Sequence, residues 1–357
     1  MSAWLPRARP GSAPLAGVRV LDFSELLPGP FMTQSMAELG ADVLKVERPP
    51  HGDPVRHSAP ALYAAVNRDK RSMQADLKDA AQRASMMALA DEADVMVETF
   101  RPGVMDRLGL GWTTLRERNP RLVYVSLSGY GSDGPWAQRP GHDINYLAAA
   151  GVVSLAATEA APSPCFGVPM ADLTGAIYAL ATVNAALFQR EHSGRGQRLD
   201  VSLAETSLHG MNPRLAMFEQ VRATTLSQQR EIAQRRPAYG TYQCRDGQWI
   251  TIGALEDHFW EALARALGLE AFQSDEYRSY ALRHSHSERI NAAIAQALSR
   301  IDRETAVAHL VAADVPVCEM YEPSALAAHP QWVARDLFVA TPGGPQVRFP
   351  IRMDRGG

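Results

Sequence analysis

Residues 18–46 constrain the fold more than any other part of the chain. Val18-Arg19-Val20-Leu21 is a β-rich run ending in Asp22, and residues 31–39 have helical composition. Gly40 is placed to stop that helix, because a residue without a Cβ enters the left-handed region at no steric cost. Ala41-Asp42-Val43-Leu44-Lys45-Val46 then resumes a strand. A strand, a helix and a strand within about thirty residues form the unit from which parallel α/β sheets are built. The turn after the first strand, Leu27-Pro28-Gly29-Pro30, lacks the G-x-G-x-x-G fingerprint that cradles a dinucleotide pyrophosphate. Its prolines remove backbone N–H donors instead of offering them, which disfavours a nicotinamide-dependent enzyme.

The alternation continues. Residues 79–90 read as a helix and Asp94-Val95-Met96-Val97-Glu98 as a strand, followed by Phe100-Arg101-Pro102-Gly103 and helices near 104–108 and 113–118. Leu122-Val123-Tyr124-Val125-Ser126-Leu127 is the next strand. Ser128-Gly129-Tyr130-Gly131-Ser132-Asp133-Gly134-Pro135 is a glycine-rich loop at its carboxyl end, the edge where open α/β sheets hold ligands. Residues 144–155 and 173–188 read as small-residue helices, 199–201 as a strand, and 205–229 as a long helical region. Composition then changes. Two strands around Arg245-Asp246-Gly247 signal a hairpin, and helices follow at 257–267, 287–300 and 304–312. Val315-Pro316-Val317-Cys318-Glu319-Met320 and a short helix at 323–329 read as a return to the first domain. The expected organisation is a flexible tail over 1–14, a large α/β domain over 15–225, a smaller α+β domain over 226–312, and a return over 313–357.

With 46% hydrophobic and 21% charged residues and a formal net charge of −3, the chain has ample core and no nucleic-acid-binding bias. Cys165, Cys244 and Cys318 are far apart, lack metal spacing, and read as thiols in a reducing compartment. The first fourteen residues hold no apolar segment of a secretory signal, and no bilayer-spanning apolar window of about eighteen residues stands out. These features lead to the expectation of a soluble, cytoplasmic protein with neither nucleic acid nor membrane as partner.

Arg139-Pro140-Gly141-His142-Asp143-Ile144-Asn145-Tyr146, taken with Asp172, carries the chemistry. One reading is a turn entering a helix, with Asp143 as cap and His142 at the surface. The other is a pH-sensitive acid/base element, which requires a pocket around the histidine. Asp172 reads likewise as an N-cap or as a reactive carboxylate, its ionisation favoured by the electropositive helix end.

Several stretches together resemble the family III CoA-transferases. They are residues 16–22, Pro28-Gly29-Pro30, residues 40–49, Lys70-Arg71-Ser72 with Asp76-Leu77-Lys78, Arg101-Pro102-Gly103, Thr174-Gly175, Ser193-Gly194-Arg195-Gly196-Gln197 and Val315-Pro316-Val317. Their order and spacing, from about Leu15 to Pro350, carry the specificity. Within that family, Gly141-His142-Asp143-Ile144-Asn145-Tyr146 and Gly253-Ala254-Leu255-Glu256 resemble the α-methylacyl-CoA racemase branch. The resemblance implies an α/β fold with a Rossmann-like large domain formed from both chain ends, a smaller α+β domain, and an interlocked homodimer. It also implies an acyl-CoA substrate at the dimer interface, with no metal or other cofactor required.

By the same resemblance, His142 and Asp172 are bases on opposite faces of the α-carbon, and Glu256 is the partner that holds the His142 tautomer. The start of the helix beside Asp172 would supply amides to an enolate oxygen, with Gly175 permitting close approach. Arg48 and Arg107 would hold CoA phosphates or adenine, and Asp143 and Tyr146 would lie near the pantetheine arm. Leu173-Thr174 departs from a glycine-rich run expected after the aspartate. The implied activity is racemisation of 2-methylacyl-CoA thioesters. The alternatives are CoA transfer between carboxylic acids through an aspartyl-CoA intermediate on Asp172, and a non-catalytic acyl-CoA binder.

Overall fold

The computed structural model describes residues 3–7, 13–157 and 167–353; Cys165 lies outside them. The chain forms two compact units, Met1–Pro213 with Ala334–Gly357, and Arg214–Val333. In the first, six strands form one parallel sheet: β1 (Arg19–Asp22), β2 (Asp42–Glu47), β3 (Arg71–Gln74), β4 (Val95–Glu98), β5 (Val123–Ser128) and β6 (Arg198–Ser202). Their order is β3-β2-β1-β4-β5-β6. The chain steps outward from β1 to β3, comes back to lay β4 on the other side of β1, and steps outward again. That reversal opens a crevice beyond the carboxyl ends of β1 and β4, where such sheets take ligands.

Successive strand residues face opposite sides, so the sheet supports two cores. Val20, Val95, Val97, Val123 and Val125 face one layer, while Leu21, Met96 and Tyr124 face the other. On the first face lies the helix Met170–Ser193, whose Ala176, Ala179, Val183 and Ala186 recur at helical spacing against the strands. Its short side chains let the helix backbone approach the sheet closely. This helix is also long and apolar enough, by length and composition, to cross a bilayer, with a window of mean hydropathy 1.3. That corrects the expectation that no such window exists. The alanine stripe seated on the sheet is only part of its apolar character, since Ile177, Tyr178 and Phe188 of the same helix are exposed.

Several expectations shift locally. The first helix is Pro28–Glu38, so the Pro28-Gly29-Pro30 turn is its opening turn. Prolines are tolerated there because first-turn N–H groups have no intrahelical acceptor. Gly40 ends it with φ of +99°, as expected. The segment expected as a flexible tail packs where it is described: Trp4 is buried in the second core and its indole N–H donates to the Leu89 carbonyl at 3.2 Å. Strand β3 escaped the sequence reading because Arg71-Ser72-Met73-Gln74 alternates weakly at a sheet edge.

The second unit holds an antiparallel sheet of β7 (Tyr239–Gln243), β8 (Trp249–Gly253) and β9 (Val317–Glu319). Gly247, with φ of +77°, makes the tight turn between β7 and β8. Helices Asp257–Ala266, Ser287–Leu298 and Arg303–Ala312 bury Trp260, Leu263, Ile290, Ile294, Leu298 and Leu310 with this sheet. Strand β9 corrects the expected return at 313, because Val317 and Cys318 pair with Ile252 and Thr251 of β8. The chain rejoins the first unit later, where the hairpin β10 (Phe338–Thr341) and β11 (Gly344–Val347) is tied down by Arg68, which donates to the Val347 carbonyl at 3.0 Å.

Candidate active site

A cleft of about 500 Å³ occupies the crevice at the strand reversal. Its walls come from the segments after β1 (Glu25, Leu26, Pro28) and β4 (Thr99 to Pro102) and from the end of β5 (Leu127, Ser128) with Gly129, together with Arg139, His142 and Asp172. The loop after β1 is fixed from beneath. Buried Lys45 donates to the Ser24 carbonyl at 2.6 Å and is paired with Asp53 at 3.1 Å. Asp53 also accepts from the Leu26 amide, and the Glu25 amide donates to Thr99 Oγ1 at 3.0 Å. Leu26 is thereby held at φ of +66°, a strained conformation for leucine.

His142 immediately precedes the helix Asp143–Ala149, and its backbone N–H donates to Asn145 Oδ1 at 2.9 Å. The loop leading to it is clamped by aromatic rings. Tyr146 packs edge-on to Tyr130, which packs edge-on to Trp136, and the Arg139 guanidinium lies 4.4 Å from the Trp136 centroid. The Tyr146 hydroxyl donates to the Gly141 carbonyl at 2.5 Å. Both Gly129 and Gly141 are needed here, since a Cβ on either would come within 2.4 and 2.7 Å of the Tyr146 ring.

Asp143 joins the two halves of the site. Its Oδ1 accepts from the amides of Ala171 at 2.7 Å and Asp172 at 3.2 Å. The helix Met170–Ser193 begins after Pro169, which has no side-chain acceptor of its own, so Asp143 caps it from another segment. Asp172 is therefore not the N-cap expected from the sequence but the third helical residue, half-buried in the cleft wall. Nor is its ionisation favoured, contrary to the expectation from its place at the helix end. Burial, and then the negative charge of Asp143, push the Asp172 carboxyl up to about 7.

The same contacts revise the expected oxyanion donors. The amides of Ala171 and Asp172 already bond Asp143. Gly175 packs against Leu203 of the cleft wall, where a Cβ would come within 2.2 Å of Leu203 Cδ2, so its small size serves the close seating of that residue. Asp143 and Tyr146, expected beside the pantetheine arm, are engaged in building the site.

His142 and Asp172 share this cleft. Arg48 is exposed just past β2, and its charge acts on the half-buried Glu25 carboxyl of the cleft wall, which burial raises and Arg48 lowers. Arg107 is exposed on the short helix Val104–Arg107 and is not part of the cleft wall. Arg101, six positions earlier in the Arg101-Pro102-Gly103 turn, does line it, as does Arg139. Neither residue has a role implied by the resemblance; the signals available were Arg101's place just past β4 and Arg139's place just before His142. Glu256 belongs to the second unit, exposed, immediately before the helix Asp257–Ala266.

Comparison with known proteins agrees with this architecture. The family model for CoA-transferase family III matches residues 15–356. An acyl-CoA transferase from Fusarium pseudograminearum is 33% identical over 96% of this chain and 78% of its own length. Acetyl-CoA:oxalate CoA-transferase from Acetobacter aceti is 30% identical over 95% of this chain and 89% of its own length. Human alpha-methylacyl-CoA racemase is 35% identical over 72% of this chain and 65% of its own length. Among solved structures, Rv3272 from Mycobacterium tuberculosis superposes with a TM-score of 0.85 at 27% identity, covering 98% of this chain and 94% of that one. A CAIB/BAIF family protein from Brucella suis does so at 0.81 and 27%, covering 96% and 93%. With a matching model over nearly its whole length and the parallel sheet and cleft described above, this chain belongs to CoA-transferase family III.

Proposed function

We propose that this protein racemises or epimerises 2-methylacyl-CoA thioesters by 1,1-proton transfer at the α-carbon, with His142 and Asp172 as the two proton-moving groups. The observation that carries this reading is the presence of both side chains on one cleft at the carboxyl edge of the sheet. Inverting a carbon next to a thioester requires a base on one face and an acid on the other. An imidazole serves either role near neutral pH, and a carboxyl raised to about 7 does the same. In one direction Asp172 takes the α-proton to leave an enolate, and His142 returns a proton to the opposite face. The reverse direction exchanges the roles.

Glu256 would orient the imidazole and stabilise its charged form, in an interlocked homodimer. Arg48 and Arg101 would hold the anionic end of CoA, since guanidinium groups pair well with phosphates. CoA enters as part of the thioester substrate, and the protein's own residues carry the proton transfer.

A second reading is CoA transfer between carboxylic acids. It is favoured by the names of the relatives, several of which are CoA-transferases. There Asp172 would attack the thioester carbonyl and expel CoA thiolate to form a mixed anhydride. The thiolate would attack its aspartyl carbonyl, releasing the donor carboxylate and leaving an aspartyl-CoA thioester, from which the acceptor carboxylate takes CoA by the same two steps reversed.

The two are separated by incubation with a single epimer of a 2-methylacyl-CoA in deuterated water. Deuterium at C2 with both epimers appearing, and a loss of roughly 10²-fold or more in His142→Ala and Asp172→Ala, is the expected result. No exchange, with CoA passing to an added carboxylate through an adduct on Asp172, would establish the transferase instead.

A further inference from the structure

Glu256 stands on the turn between β8 and the helix Asp257–Ala266, and its carboxylate does not cap that helix. Its two chain neighbours are held from inside the second unit by one residue. Arg283, on the short helix Tyr280–His284, is completely buried. One terminal nitrogen donates to the carbonyls of Tyr277 and Arg278 at 3.1 and 2.9 Å. The other donates to the Leu255 carbonyl at 2.7 Å and is paired with Asp257 Oδ1 at 2.8 Å. The guanidinium also lies 5.6 Å from the Trp260 ring centroid. One planar group thus grips the residue before Glu256 and the residue after it, and ties both to the segment at 277–278.

A buried guanidinium is a costly way to fill space, because its desolvation is offset only by well-placed acceptors. What the fork adds is direction: fixed N–H vectors that set where the turn points.

We propose that Arg283 is a positioning residue for Glu256, fixing the Leu255–Asp257 turn so that the Glu256 carboxylate projects in one set direction. The proposal rests on the reading of Glu256 as the partner of His142. Positioning matters because displacing a catalytic group by about 1 Å costs up to roughly 10²-fold in rate. Lysine keeps the charge but cannot grip carbonyls and a carboxylate on two sides at once.

The test measures C2 deuterium exchange for Arg283→Lys, Asp257→Ala and Glu256→Gln, and for each of the first two combined with Glu256→Gln. Asp257 is the gentler variant, since its side chain is 53% exposed. It decides the matter if Arg283→Lys does not fold. Each of Arg283→Lys and Asp257→Ala is expected to lower kcat roughly tenfold with KM unchanged, and to have no further effect when Glu256 is already glutamine. Full activity in the folded variants, or the same loss with and without Glu256, would reduce Arg283 to framework and overturn the proposal while leaving the function intact. Full activity of Glu256→Gln, or no exchange by the unmodified protein, would strike the reading of the site and the proposal with it.

Discussion

Replacing Asp143 with asparagine separates the two things this carboxylate does. An asparagine oxygen still accepts from the amides of Ala171 and Asp172, so the helix stays capped and stability changes by less than about 1 kcal/mol. The charge is gone, and with it the repulsion that adds to burial in raising Asp172. Asp143 Oδ1 lies 3.2 Å from the Asp172 amide, which puts the two carboxylates roughly 6 Å apart. At that separation like charges repel by about 0.7 kcal/mol in water and about 2.8 kcal/mol at the effective dielectric of a protein surface. For a half-buried group the middle of that range applies, about one pH unit. The Asp172 titration, near 7 in the unmodified protein, is expected to move down by that amount, because removing a negative neighbour favours the charged form. Carboxyl-carbon NMR with labelled aspartate reads it directly. The rise of exchange rate with pH, where Asp172 must be ionised to accept a proton, should move to lower pH with it. An unchanged or higher midpoint would refute the argument and leave burial as the sole cause.

Two further outcomes follow from Glu98 and Gly129. Glu98 is buried at the end of β4 and raised to about 7 by burial, against the hydrogen bonds it accepts from Ser126 and the Phe100 amide. Because the folded value is above the unfolded one, its favourable contribution is complete below about 4.5 and is lost as pH rises toward about 7, by up to roughly 3 kcal/mol. Glu98→Gln should therefore raise the melting temperature at about pH 8 relative to the unmodified protein and lose that advantage near pH 4; an equal effect at both would disprove it. Gly129→Ala should cost about 1–3 kcal/mol in denaturant unfolding, because its Cβ meets the rigid Tyr146 ring at 2.4 Å. The displaced ring should also lower exchange activity, and an unaltered protein would show the contact to be compliant.

The sequence alone determined the parallel α/β class of the first unit and the identity of the family, though not the edge strand β3. Valine-rich runs such as Val95-Met96-Val97 and Val123-Tyr124-Val125 can be buried on both faces only in a parallel sheet between helices. Gly40 and Gly247 mark stops that local backbone sterics dictate, and the spaced motifs from Ala16 to Val317 carried the resemblance. The proximity of Gly141-His142-Asp143 to Asp172 in sequence also made a joint site legible.

What remained invisible depended on contacts between distant segments. Nothing near Asp172 in the chain announces that Asp143 occupies the amides at the start of its helix, so its ionisation was expected to be favoured and the opposite holds. Strand β9 pairs with β8 from 65 or more positions away, which no local pattern encodes. Arg101 lines the cleft while Arg107 does not, though both follow β4 by a few residues. Local backbone preference and hydrophobic period are written along the chain. The partner of a carboxylate, the solvent it loses and the wall a guanidinium joins are set only when tertiary folding brings the segments together.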